Sequence, residues 1–185
     1  MHDESVNNQG YEHMLDFQMS WVMRVAANLE VKKKNPNLYN RCRGILLKLI
    51  QKTHEDNVEV SEVHVWKQWK RIDVIAEVKV LCNGKEEKHV VVLEDKAYTM
   101  IHDDQLRRYE AIVNDEYDDK EEWKGLQKHF WVITFFGDYE NKYPILRRMV
   151  ETKDSNWNLI SFETILEDIT PTGNEQFDDF WIHNW

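Results

Sequence analysis

The chain has 185 residues, 42% of them hydrophobic and 12% aromatic, which excludes a disordered protein and fits a single folded domain spanning residues 1–185. Its net charge of −10 argues against tight nonspecific coating of nucleic acid, because such binding relies on Lys and Arg neutralising phosphates. Cys42 and Cys82 form no metal-ligand spacing, the amino terminus has no signal pattern and no apolar run is long enough to cross a bilayer, so we expect a soluble, cytoplasmic protein without membrane contact.

Two helices are predicted at the start of the chain. Between Tyr11 and Leu29, apolar residues recur at the three- and four-residue spacing of one helical face. The segment 32–37, with three lysines and a proline, is predicted to be the linker that ends this helix. A second helix with one apolar side is predicted from Leu38 to about Thr53.

A strand and a turn rich in cations and indole rings follow. Alternating valines predict a strand from Val58 to Trp66, with a bulge at residues 61–62. In the turn, Lys70 and Arg71 lie next to tryptophans, and this combination can stack bases and hold phosphates. Both residues are therefore nucleic-acid-binding candidates. The alternative, which the sequence favours for the tryptophans, is an edge hairpin whose indole rings cover the core.

Two β-patterned runs then predict an antiparallel hairpin. The runs Ile72–Leu81 and His89–Tyr98 are joined by a turn containing Asn83-Gly84, and Asn-Gly between such runs is the strongest short hairpin signal. Successive side chains on a strand point to opposite faces, so Glu94 and Lys96 share one face and the residues beside them take the other. An acid and an amine are therefore predicted to lie side by side.

Asp73, at the start of the first run, is predicted to reach the same end of this hairpin. Two carboxylates and one ammonium would then converge, which suits phosphodiester hydrolysis. Asp73 and Glu94 are hard oxygen ligands of the kind Mg²⁺ prefers, and Lys96 is able to orient or deprotonate the attacking water and to stabilise the anionic phosphate. The alternative is a plain ion pair between Glu94 and Lys96 on an exposed strand, with Asp73 a solvated strand start.

A helix is predicted from Asp104 to about Asp115, with acidic residues at its start. Gln105 and Tyr109 are four residues apart and share one helical face. Two arginines flank the tyrosine and are predicted to point partly outward, where they could meet a phosphate. These nucleic-acid-binding candidates are Arg107 and Arg108.

The second half of the chain alternates between strands and helices. A nearly continuous apolar run from His129 to Phe136 predicts a central strand buried on both faces. The tail, residues 177–185, is too aromatic for a loose end and is predicted to pack on the body of the protein or on a partner. The other predicted elements are an acidic loop at 115–122, a helix at 143–150, a strand at 158–161 and a helix at 162–168.

Asp73, the Glu94-Asp95-Lys96 segment and the Gln105-x-x-x-Tyr109 pattern together resemble the PD-(D/E)xK nuclease superfamily, in its helicase-nuclease branch. The order of predicted elements agrees with the α/β fold that this resemblance implies. That fold is restriction-endonuclease-like, with an αβββαβ core and a mixed central sheet flanked by helices. One departure is Ile72, which stands where the family pattern has a proline.

The resemblance also implies a role for each matching residue. Asp73 and Glu94 bind the metal, and the carbonyl of Asp95 also contacts it. Lys96 is catalytic, while Gln105 and Tyr109 support the site or the nucleic-acid strand.

The first helix contributes a further match. Residues 12–21 resemble the amino-terminal helix of one branch of these nucleases, which implies that Glu12 faces the metal, either directly or through a water molecule. The alternative is an amphipathic helix in which Glu12 and Asp16 form a solvated stripe.

The sequence therefore predicts a Mg²⁺-dependent deoxyribonuclease, with Mn²⁺ as a substitute metal and DNA as the partner. The aromatic tail is a candidate contact for a second copy of the chain or for another protein. The alternative is a non-catalytic protein-interaction or nucleic-acid-binding module on the same fold. The full set of acids, lysine, glutamine and tyrosine favours the nuclease, because clustered carboxylates without a cation disfavour stability.

Overall fold

The structure is a computed structural model that describes several stretches of the chain. Among its helices, none is both long enough and apolar enough to cross a membrane. Two of the predicted strands end at residues outside the described ones, namely Tyr98 and Phe136. The last two residues of the predicted helix 162–168 also lie outside the described residues. The described stretches are 4–53, 57–96, 101, 104–135, 142–153, 155–166 and 169–183, with the backbone alone at 4–9, 11, 12 and 142.

Three helices open the chain: α1 (Glu4–Val25), α2 (Leu29–Lys34) and α3 (Pro36–Leu49). The prediction that the lysines at 32–34 belong to a linker is wrong, because they form α2. The helix begins there since the Asn28 side chain accepts hydrogen bonds from the backbone N–H groups of residues 30 and 31. In the same way, the Asn35 side chain caps the start of α3.

Five strands form one sheet in the order β1-β2-β3-β4-β5. The first three pair antiparallel, whereas β3 with β4 and β4 with β5 pair parallel. The predicted mixed sheet is confirmed, as are the bulge after Val60 and the hairpin turn, in which Asn83 and Gly84 have φ of 51° and 79°. The strands are β1 (Val58–Trp69), β2 (Ile72–Cys82), β3 (Lys85–Lys96), β4 (Gln127–Thr134) and β5 (Trp157–Ser161).

Within the described stretches, four more helices connect the strands or follow them. The acidic segment 115–122 is not wholly a loop, because the helix before it continues to Tyr117 and a 3₁₀ turn occupies Glu121–Trp123. These helices are α4 (Gln105–Tyr117), α5 (Lys142–Val150), α6 (Phe162–Ile165) and α7 (Glu175–Asp178), and a π-helical turn (Asp179–His183) follows α7.

The sheet separates two hydrophobic cores. Val91 and Leu93 of β3 belong to the core that contains α1, α3 and the tail, whereas Val90 and Val92 belong to the core that contains α4 and α5. The alternation along β3 therefore gives neighbouring residues to different layers. It predicts that Glu94 and Lys96 lie on the α4 side of the sheet and Asp95 on the α1 side.

The carboxyl-terminal tail packs on the body of the protein, as one of the two alternatives predicted. Phe177, Phe180 and Trp181 are buried in the core on the α1 side of the sheet. Asp178 is buried as well, and its carboxylate accepts hydrogen bonds from the backbone N–H groups of Thr172 and Gly173. These contacts fix the tail against the helices that flank the sheet.

Two buried histidines lie at the end of the sheet opposite the carboxyl end of β3. His89 Nδ1 and His129 Nε2 are 3.0 Å apart, and the rings stack with their centroids 5.2 Å apart. Glu87 lies 3.5 Å from His89 Nε2 and pairs with Lys52. Burial lowers the pKa of both histidines to about 4, so they are neutral in the folded protein at pH 7.

We expect these histidines to make the fold acid-sensitive. Because their folded pKa of about 4 lies below the unfolded value of 6.5, their contribution is complete above pH 6.5 and is lost as the pH falls towards 4. Replacing both with leucine should remove roughly 2–3 kcal/mol of the stability change between pH 7.5 and 5.5. Urea unfolding of parent and variant at both pH values measures this, and equal pH dependence in the two would contradict it.

Candidate active site

The predicted hairpin residues meet where β2 begins and β3 ends. Asp73 and Glu94 each lie one residue beyond the paired residues Val74 and Leu93. Lys96 Nζ lies 2.5 Å from Glu94 Oε1. Both side chains are buried, at 8% and 2% exposure, so the pair is not the exposed ion pair of the alternative interpretation.

The start of α4 closes this cluster from one side of the sheet. Gln105 Nε2 donates to Glu94 Oε1 (2.5 Å) and to the Tyr109 hydroxyl (3.1 Å). The Tyr109 hydroxyl in turn donates to the backbone carbonyl of Arg71 (2.6 Å). The four-residue spacing on one helical face therefore brings glutamine and tyrosine to the acids, where the sequence predicted them.

Asp73 is held at both carboxylate oxygens. Its Oδ2 accepts a hydrogen bond from the backbone N–H of Asp95 (2.8 Å), and its Oδ1 accepts one from Gln68 Nε2 (3.0 Å). The Asp73 carboxylate lies close enough to Glu94 to raise the pKa of that carboxyl. The carboxylate of Asp73 is thus on the same side of the sheet as Glu94 and Lys96.

Asp95 contacts the layer on the other side of the sheet. Its side chain is 2% exposed and lies beside the Asp16 carboxyl on α1. Gln68 Nε2 also donates to Asp16 Oδ2 (3.1 Å), which links the α1 acid to Asp73.

Sequence analysis missed the part that Asp16 and Gln68 play in the site. The interpretation of Asp16 as part of a solvated stripe is wrong, because its side chain is only 4% exposed. Asp16 lies between Leu15 and Met19, which are both fully buried. This position on the apolar stripe of the helix was a signal that Asp16 is buried. For Gln68 the sequence carries no comparable signal.

Crowding and burial shift the pKa values of these acids upward. Burial raises the pKa of Glu94 to about 8, and the neighbouring Asp73 carboxylate adds to the shift. The pKa of Asp95 is raised well above its usual range, chiefly by burial and next by the neighbouring Asp16 carboxyl. Burial also raises the pKa of Asp16. Without a bound metal cation, the crowding of these carboxylates is therefore electrostatically unfavourable.

The donor set fits a hard divalent cation. Glu94 Oε2 is buried and makes no hydrogen bond to any residue that the structure describes, so its lone pairs are available to a ligand. Over the stretches that the structure describes, no group of three or more His, Cys, Asp and Glu side chains is arranged to hold a metal. Mg²⁺ is usually bound by one or two protein carboxylates, with water completing its coordination shell, and this site supplies two carboxylates. The side chain of Glu12 lies outside the described residues, so its role stays a prediction.

A cationic groove adjoins the site. It has a volume of about 330 Å³ and is lined by Lys70, Arg71, Arg108, Tyr109 and Ile112. Tyr109 belongs both to this groove and to the hydrogen-bond chain that ends at Glu94. A phosphate in the groove would therefore lie close to the acids.

The other basic candidates differ in their surroundings. Lys70 pairs with Glu116 (2.8 Å) and lies 4.4 Å from the centroid of the Trp69 ring, which itself packs against the core on the α4 side. Arg107 does not join the groove, because it lines a separate cavity of about 250 Å³ with Glu110 and other residues. Trp66 is 41% exposed and is not among the described residues that pack against either core.

Comparison with known proteins places this geometry in a family. The family model described as the PD-(D/E)XK nuclease superfamily matches residues 7–180. No curated protein and no solved structure matches the chain. The matched range contains all the residues of the cluster described above.

Proposed function

The chain belongs to the PD-(D/E)XK nuclease superfamily, and we propose that it is a metal-dependent nuclease that hydrolyses the phosphodiester bonds of DNA. The observation that supports this most is the convergence of Asp73, Glu94 and Lys96 around a buried carboxylate oxygen that has no hydrogen-bond partner among the described residues. The Glu94–Lys96 ion pair alone would not explain a second acid, Asp73, crowded against it.

Asp73 and Glu94 are the proposed ligands of Mg²⁺, with Mn²⁺ as a substitute. The backbone carbonyl of Asp95 is a further proposed ligand, and Glu12 stays a candidate on the α1 side. A bound divalent cation lowers the pKa of a water molecule and neutralises charge on the phosphate. The protein contributes the orientation: Asp73 is fixed by Gln68 and the Asp95 amide, and Glu94 is fixed by Gln105 and Lys96.

Lys96 is the proposed catalytic residue that acts on the attacking water. Its ammonium is able to orient the water and to stabilise the negative charge that develops on the phosphate. Burial beside Glu94 holds the Nζ atom in place, which a solvated lysine would not achieve. Gln105 and Tyr109 are positioning residues, because their hydrogen bonds connect α4 and the β1–β2 turn to Glu94.

DNA is proposed to lie along the cationic groove beside the site. Arg71 and Arg108 would contact backbone phosphates, and Lys70 would do so from its position over Trp69. Arg107, in its separate cavity, would meet the strand only beyond this groove. Binding through a few local cations is compatible with the overall charge of −10. A second copy of the chain or another protein on the tail stays a prediction.

The proposal is tested by incubating the purified protein with circular and linear DNA, single- and double-stranded, and with RNA. Each substrate is combined with Mg²⁺, Mn²⁺ or EDTA. We expect cleavage of DNA with either metal and none with EDTA, because the two carboxylates alone supply no activated water. Cleavage of RNA alone would overturn the choice of DNA, and intact substrates throughout would favour the non-catalytic module.

A further inference from the structure

Gln68 links α1 to the acid at the start of β2. Its Nε2 atom donates to Asp16 Oδ2 (3.1 Å) and to Asp73 Oδ1 (3.0 Å). A side-chain amide nitrogen carries two N–H donors, and carboxylates are acceptors, so both donors are matched. The reverse orientation of the amide would place its oxygen against two acids. The contacts therefore fix the amide in one orientation.

The backbone of Gln68 is held in an uncommon conformation. Its φ is 55°, in the left-handed region that non-glycine residues seldom adopt, and Lys70 and Arg71 follow with φ of 51° and 72°. Gln68 is exposed, so burial of its side chain does not stabilise this conformation. The left-handed conformation is instead accompanied by the two hydrogen bonds that the side-chain amide donates to Asp16 and Asp73. Strain of this kind is typical of functional sites.

The geometry points to a consequence for Asp73. Gln68 and the Asp95 amide hold one oxygen each, so the carboxylate has a single orientation relative to Glu94. Asp16 is the anchor on the far side of the amide, and it is itself buried at 4% exposure. Residues that hold a metal ligand in this way tune the affinity of the site.

We propose that Gln68 is a positioning residue that sets the affinity of the site for its divalent cation by orienting Asp73. The inference rests on the proposed function, because it assumes that Asp73 is a metal ligand. It adds that the β1–β2 turn and α1 act on the metal site through one amide group. The strained turn is then part of the site and not merely a connection between strands.

The test is a calorimetric titration of Mn²⁺ into the metal-free protein, without nucleic acid. Gln68→Gly removes both the amide and the backbone strain, whereas Gln68→Met removes the amide and keeps the bulk. Both should weaken Mn²⁺ binding by about 10- to 100-fold. The melting temperature of Gln68→Gly should be unchanged or higher, because glycine adopts positive φ without steric cost. Loss of stability would indicate a structural role instead.

The matched control is Gln51→Gly. Gln51 is also an exposed glutamine with a left-handed backbone (φ 56°), but it lies just after α3 and outside the acid cluster. This variant should bind Mn²⁺ as the parent does. Normal binding by both Gln68 variants, or weak binding by Gln68→Gly only together with a lowered melting temperature, would overturn the inference. Failure of the parent itself to bind Mn²⁺ would instead overturn the proposed metal site.

Discussion

Replacing Lys96 with methionine is expected to lower the rate of DNA cleavage by about 10²- to 10⁴-fold, the range for loss of a positioned acid–base group. Methionine keeps much of the length and apolar stem of lysine but cannot hold a water or stabilise a phosphate anion. The fold should survive, because Glu94, whose pKa is already raised to about 8, can take up a proton once its ammonium partner is gone. Initial rates under saturating Mg²⁺ measure the effect.

Lys88→Met is the control for this variant. Lys88 lies on the same strand, near the opposite end of β3, where its ammonium donates to the backbone carbonyl of Glu122. Its loss should leave the cleavage rate within about two-fold of the parent, as expected for a surface contact of small energetic weight. A Lys96→Met protein that cuts as fast as Lys88→Met would rule out the proposed mechanism.

Glu94→Gln should abolish cleavage and at the same time stabilise the metal-free protein at high pH. The carboxyl has a folded pKa of about 8 against an ordinary value of 4.5, so ionisation of Glu94 works against folding as the pH rises through 8. Because each pKa unit corresponds to about 1.4 kcal/mol, the amide should add a few kcal/mol at pH 9. At pH 5 the gain should shrink to about 1 kcal/mol or less.

Urea unfolding in EDTA at pH 5, 7 and 9 measures this gain, and Glu87→Gln provides a control of opposite sign. Glu87 lies on the same strand and pairs with Lys52 (2.9 Å), which lowers the pKa of its carboxyl. The amide there should destabilise slightly and leave cleavage unchanged. Addition of Mg²⁺ should stabilise the parent and not Glu94→Gln. Equal stability of parent and Glu94→Gln at pH 9 would contradict the electrostatic account.

Much of the site could be predicted because its signals are local in sequence. Asn83-Gly84 sets the hairpin turn, the two-residue period of β3 places Glu94 beside Lys96, and the four-residue period of α4 places Gln105 beside Tyr109. The family pattern then joined these segments. A local signal also explains one error. The Asn28 side chain caps a helix, so the lysines that were predicted to form a linker belong to α2.

The remaining features depend on contacts that no local pattern encodes. Gln68 and Asp16 are 52 residues apart, and their hydrogen bond exists only because α1 packs beside the β1–β2 turn. The left-handed backbone of Gln68 is equally hidden, since glutamine shows no preference for positive φ. The separation of Arg107 from Arg108 follows from the rotation of α4 on the sheet, which a helical pattern alone does not fix.

The alternation of β3 has a practical consequence for protein engineering. Glu94 and Lys96 occupy the face of the sheet on which the reaction is proposed to occur, whereas the carboxyl of Asp95 lies on the other face, beside Asp16. Neutral substitutions of the acids at positions 16 and 95 would therefore alter the electric potential at Glu94 and Lys96 from the α1 side of the sheet, and the substitution at position 16 would also act on Asp73 through Gln68.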